Sequence, residues 1–273
     1  MLKDITIGQY FPGNSIVHRL DSRFKIILDI LYVVMLFVAS NFYSLAVAGV
    51  FMLIIYMLSD ISFKLIFKSL RPIFPIILFT CLLNLFFIKG EGSPVISFWI
   101  INIYMEGLTT SLFMTIRIVF LIIGMSLLTY TTSPIALTDA IESLFSPLKV
   151  IRFPVHELAM MMTIALRFIP TLIEETDKIM AAQKARGANL DTGGLIKKAK
   201  ALVPVLIPLF VSAFKRANEL ALAMECRCYR GGEGRTRIKQ LKSGIKDYIA
   251  LVVFAAVLAG VILLNVYIPI LGL

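Results

Sequence analysis

Apolar residues gather along this chain in five long runs, at residues 26–42, 45–58, 73–88, 108–130 and 248–273. A perpendicular membrane helix needs about 20 apolar residues, within a range of about 17–25. The fourth and fifth runs meet that measure. The second and third are short, so they are expected to borrow flanking polar residues or to sit where the bilayer thins. The pattern predicts an all-α, polytopic integral membrane protein with about five transmembrane helices. Two further apolar stretches, 158–173 and 202–214, are interrupted by Arg167, Pro170, Pro204 and Pro208. They fall below the spanning length, and are expected to be helices lying against the membrane or against other helices.

Polar positions set the organisation. With the N-terminus in the cytoplasm, 25 of the 27 lysines and arginines fall on the cytoplasmic side, Lys89 alone falls outside, and Arg117 lies within a span. The inverted orientation would place those 25 cations on the wrong side of the membrane. Three segments follow: an N-terminal transmembrane region at 1–130 with about four spans, a helical cytoplasmic coupling segment at 131–246, and a C-terminal transmembrane helix at 247–273. The one strongly turn-like stretch in the middle segment is 187–194. The first 23 residues are polar and mixed in charge, so no cleaved signal peptide is expected and the first span directs insertion.

Composition agrees with the pattern. The chain is 59% hydrophobic with a mean hydropathy of +0.89, against about 45–50% apolar residues in soluble domains. The net charge is +10. Three cysteines, Cys81, Cys226 and Cys228, do not form a disulfide framework. Cys226 and Cys228 lack a second ligand pair, so no metal site is expected.

Two similar blocks stand out in the basic segment. One runs from Ile169-Pro170 through Glu174-Glu175 to Ala185-Arg186-Gly187, the other from Ile207-Pro208 through Lys215-Arg216 to Cys226-Arg227-Cys228. Each has a proline, a stretch of helix formers, then an arginine between two small residues. Gly187 directly behind Arg186, and Gly231-Gly232 four residues behind Arg227, read as helix stops. A cation in the last turn suits the helix dipole. A guanidinium there, with no bulky neighbour, can enter a groove on another protein and pair bidentately with a carboxylate.

At these residues the sequence resembles the transmembrane (T) component of energy-coupling factor transporters, a family with two short Ala-Arg-Gly-like motifs on cytoplasmic coupling helices. Ala185-Arg186-Gly187 matches as it stands; Cys226-Arg227-Cys228 keeps the arginine and small flanks. Leu20-Asp21-Ser22-Arg23-Phe24-Lys25, Thr131-Thr132-Ser133-Pro134 and the segment from Tyr229 to Arg237 fit the same pattern, so the likeness covers most of the chain. The resemblance implies a non-catalytic subunit in a prokaryotic plasma membrane. It would join two cytoplasmic ABC-type ATPase subunits to a substrate-binding membrane S component that captures a vitamin or metal ion. Ala185, Arg186, Gly187, Cys226, Arg227 and Cys228 would be the ATPase-binding residues. Movement of the ATPase pair would shift the coupling helices and tilt the S component. No cofactor and no nucleic acid is expected.

What the chain lacks is consistent with that role. It has no Gly-x-x-x-x-Gly-Lys-Ser/Thr phosphate loop, so it cannot supply the ATP site. It has no His-Glu-x-x-His and no Gly-x-Ser-x-Gly, which argues against an embedded hydrolase. A stand-alone secondary transporter is the alternative, but would need a mid-membrane site of broken helices and polar groups, and the spans are nearly featureless. The apolar faces of 158–173 and 202–214, with Met160, Met161 and Met162, offer an adaptable surface for a membrane partner. Asp29 and Arg117 are costly within a span unless paired, and Arg167 is placed to snorkel toward headgroups.

Overall fold

In the computed structural model, residues 10–88, 96–98, 101–151, 153–188, 194–231, 241 and 243–267 are described. The loop around Lys89, most of the expected turn at 187–194, the glycine-rich stretch at 232–237 and the last six residues lie outside them. Helices make up nearly all of the rest: α1 (Ser22–Val38), α2 (Phe42–Leu58), α3 (Lys64–Leu70), α4 (Phe74–Phe87), α5 (Met105–Thr131), α6 (Pro134–Phe145), α7 (Val155–Ala185), α8 (Leu195–Cys226) and α9 (Ile245–Tyr267). A small antiparallel ribbon, β1 (Ile96–Phe98) with β2 (Ile101–Ile103), precedes α5 and pairs Ile96 with Ile103. The chain divides into two compact units: residues 8–140 with 241–273, and a second centred on 141–240.

Among the described residues, four helices are long and apolar enough to cross a membrane: Met105–Thr131, Val155–Ala185, Lys200–Cys226 and Ile245–Tyr267. A fifth span arises if α3 and α4, bent by 62° at their junction, count as one. The protein is thus an all-α, multi-pass membrane protein. The bent pair explains the short third run: α4 is 14 residues long, and its hydrophobic path continues into α3.

The first unit is held by backbone carbonyls that charged side chains reach across the bundle. Antiparallel α1 and α5 cap each other. Lys25 of α1 donates to the carbonyl of Thr131, the last residue of α5, at 3.0 Å and to His18 at 3.2 Å. Arg117 of α5 donates to the carbonyl of Ala39, the C-cap of α1, at 2.6 Å. Its guanidinium lies 4.7 Å from the Phe113 ring centre. Both cations therefore sit where a helix C-terminus is negative, and Arg117 is a structural cap in a segment where an unpaired charge would be costly.

Helix α9 runs parallel to α1 and is fastened at both ends. The backbone N–H of Asp21 donates to Asp247 Oδ1 at 2.8 Å, and that of Gly244 donates to Oδ2 at 2.7 Å. At the far end Asn265 donates to the Val38 carbonyl at 2.7 Å and accepts from the Ser44 hydroxyl at 2.6 Å. Between these ends the core is fully buried Tyr32, Met35, Leu36, Leu45 and Tyr56 with Val261. Small residues allow the close approach. A Cβ on Gly124 of α5 would lie 2.5 Å from the Tyr32 ring, and one on Gly49 of α2 would lie 2.2 Å from Phe120.

The second unit departs from the expectation of short, interrupted helices. Helices α7 and α8 run 31 and 32 residues, straight through Pro170, Pro204 and Pro208. A proline lacks the N–H that would bond the carbonyl four residues back. For Pro208 that carbonyl belongs to Pro204, and the Gln183 side chain of α7 donates to it at 3.3 Å. A partner helix thus supplies the missing donor, and the apolar stretches at 158–173 and 202–214 lie inside continuous rods.

Candidate functional site

Both arginine motifs occupy the same structural position. In α7, Arg186 is the C-cap and Gly187 is left-handed with φ 86°. The N–H of Gly187 donates to the Lys184 carbonyl and that of Ala188 to the Gln183 carbonyl, both at 3.0 Å. In α8, Arg227 is the C-cap and Cys228 is left-handed with φ 58°. The N–H of Cys228 donates to the Glu225 carbonyl at 2.8 Å, and that of Tyr229 to the Met224 carbonyl at 3.0 Å. These are the paired closing bonds of a left-handed helix stop. The stop expected at Gly231-Gly232 falls instead at Cys228, directly behind Arg227. A non-glycine residue in this conformation costs roughly 1–2 kcal/mol, so local propensity does not announce it.

Ala185, Arg186, Gly187, Cys226, Arg227 and Cys228 are all exposed. Neither guanidinium forms a hydrogen bond or an ion pair with any described residue. Each is a desolvation-ready fork at the negative end of a long rod. The two motifs are not brought together; they stand at the ends of two helices of one unit.

What relates them is a contact missing from the expectations. Glu175 of α7 accepts a hydrogen bond from the Ser212 hydroxyl of α8 through Oε1, and pairs with Arg216 of α8 at 2.6 Å through Oε2. Moving along α7 from Glu175 to Gln183 shifts the contact on α8 back from 212–216 to Pro204. The helices therefore run antiparallel along their contact. Glu175 lies eleven residues before Arg186, and Arg216 lies eleven residues before Arg227. Each arm rises about 16 Å, so the two tips lie on opposite sides of the crossing, roughly 30 Å apart along the helix axes. The offset from proline to arginine differs between the blocks, whereas the offset from clasp to arginine is equal. Opposite charges at matching places, Glu174-Glu175 and Lys215-Arg216, were the sequence signal for it.

Other polar clusters do less. His156 Nδ1 lies 3.0 Å from Glu142 Oε1. No group of three or more potential metal ligands occurs among the described residues. A cavity of about 480 Å³ in the first unit is lined mostly by aliphatic and aromatic side chains of α1, α2, α5, α9 and the segment before α1, with Lys25, Asp29 and Lys246 also in its wall.

The sequence profile of the CbiQ family, described as a cobalt transport protein, matches residues 13–238. The energy-coupling factor transporter transmembrane protein EcfT of Clostridium kluyveri is 57% identical over 250 residues, covering 92% of this chain and 93% of the relative. The protein of the same name from Thermosediminibacter oceani is 52% identical over 262 residues, covering 96% of this chain and 98% of the relative. That of Bacillus subtilis is 48% identical over 261 residues, covering 94% and 98%. With a profile match over most of its length and relatives this similar end to end, the chain belongs to the CbiQ/EcfT family of transmembrane transport proteins.

Proposed function

We propose that this chain is the non-catalytic coupling subunit of an ATP-driven uptake transporter. It links two cytoplasmic ABC-type ATPase subunits to a substrate-binding S component in the plasma membrane, for import of a vitamin or a metal ion. The relatives are named as parts of energy-coupling factor transporters, and this chain has no phosphate loop of its own. One observation carries the reading: two guanidinium groups, without a partner among the described residues, end two antiparallel helices in matching caps, at equal distances from their crossing. A pair of like subunits related by a two-fold axis needs two like handles so related.

Segment 131–246 then belongs to the cytoplasmic side with the N-terminus, in keeping with the lysine and arginine distribution, and α7 and α8, although long and apolar enough to cross a bilayer, lie along its cytoplasmic face. Arg186 and Arg227 each enter a groove of one ATPase subunit and pair with a carboxylate there. The exposed apolar faces of both helices, including Met161, Met162, Phe210 and Phe214, meet the S component or lipid. Movement of the ATPase pair displaces the tips, and the rods pass that displacement to the membrane partner.

The test is double charge reversal, Arg186→Glu with Arg227→Glu, in the assembled transporter. Uptake into proteoliposomes is expected to vanish and the ATPase subunits to stop co-purifying, while membrane insertion is unchanged. ATP-driven uptake at the wild-type level in this double variant sinks the docking role.

A further inference from the structure

We propose that Glu175, with Ser212 and Arg216, is the positioning residue that fixes the separation of the two docking arginines; the proposal rests on the coupling function above. The carboxylate of Glu175 is the only acidic group of α7 in an ion pair with α8 among the described residues, and it uses both oxygens on α8. A charge-assisted pair with a second, hydroxyl donor fixes direction as well as distance. Gln183 adds a neutral hydrogen bond to the Pro204 carbonyl, and exposed and half-buried apolar side chains line the rest of both rods. Apolar faces slide past one another, whereas an ion pair with defined donors sets register.

The location makes the register matter. The clasp lies eleven residues from each arginine. A slip of one helical turn on either rod would move its tip by about 5 Å, far beyond the tolerance of a bidentate arginine–carboxylate pair. Glu175 touches neither ATPase nor cargo. Its work is to hold both arms at one crossing, so that displacement of one tip is passed to the other.

The experiment uses the complete transporter in proteoliposomes, with Glu175→Gln, Arg216→Gln and the charge swap Glu175→Arg/Arg216→Glu. Two readouts accompany each variant. One is substrate imported per ATP hydrolysed. The other is the distance distribution between nitroxides at Ala182→Cys and Ala223→Cys, both exposed and both seven residues from the clasp, with Cys81, Cys226 and Cys228 replaced by serine in every labelled sample and the intact clasp in that same background as the reference. Each single variant is expected to assemble and hydrolyse ATP, to import about tenfold less per ATP, and to show a broadened distribution, since losing a charge-assisted bond costs about that factor. The swap is expected to recover both readouts. Single variants with wild-type coupling and a wild-type distribution overturn the proposal, as does a swap no better than either single variant. If the Glu175 variants behave as wild type while reversal of Arg186 and Arg227 abolishes uptake, only the clasp fails. If that reversal is also silent, the coupling function itself fails.

Discussion

Cys228 carries a backbone conformation that glycine adopts freely, and its counterpart in the other motif is Gly187. The Cβ of Cys228 strains the stop behind Arg227, so Cys228→Gly is expected to stabilise the end of α8 by about 1 kcal/mol. The converse change, Gly187→Val, is expected to fray the end of α7 and weaken ATPase association, because a β-branched residue at φ 86° is strained. Thermal unfolding in detergent and co-purification with the ATPase subunits check the pair. A second residue-scale effect lies at Asp21. Burial pushes its carboxyl upward, but the Arg23 hydrogen bonds and charge outweigh that and hold it below the ordinary carboxylate range. A carboxyl with a lowered folded pKa stabilises the protein fully above its unfolded value and loses that contribution as pH falls through the folded one. Wild type is therefore expected to exceed Asp21→Asn in melting temperature at neutral pH, and the gap to close below about pH 4.

At the scale of elements, close approach of helices decides stability. Gly124→Leu is expected to destabilise the first unit by about 1–3 kcal/mol, because the added atoms meet the Tyr32 ring and Met52 across the α1–α5 and α2–α5 contacts. Loss of cooperative unfolding in detergent would register it. Elements also show what the sequence could and could not convey. Apolar runs marked α1, α2, α4, α5 and α9, because composition alone carries such helices. They did not mark where α7 and α8 begin and end. Prolines read as breaks because each leaves a carbonyl bare, and the repair of the Pro204 carbonyl comes from Gln183, 21 residues away, on another helix. Likewise Arg117 and Asp29 were legible as anomalies in spans. That Arg117 caps Ala39, 78 residues distant, was not, since capping across a bundle leaves no local spacing.

For the whole molecule, the two motifs were legible in the sequence because each joins a helix end, a cation and small flanks within three residues. The geometry between the motifs required the fold. Equal arms emerge only when Glu175 and Arg216 are seen in contact. The division of labour also belongs to this scale. One unit is a bundle locked by buried charges and side-chain amides reaching backbone ends, which suits a stationary anchor. The other is a pair of long rods joined at few polar points, which suits moving parts.

The reciprocal fastening of α1 and α5 bears on how the chain enters the membrane. Until residue 117 has been synthesised, the carbonyl end of the first helix has no cation to meet it, and Lys25 has no Thr131 to hold. During biogenesis the first helix must therefore wait, incompletely satisfied, until nearly half of the 273 residues have been translated. Any ribosome stall or truncation before the end of α5 leaves an unfinished bundle in which Lys25 keeps its bond to the His18 carbonyl and lacks the one to Thr131.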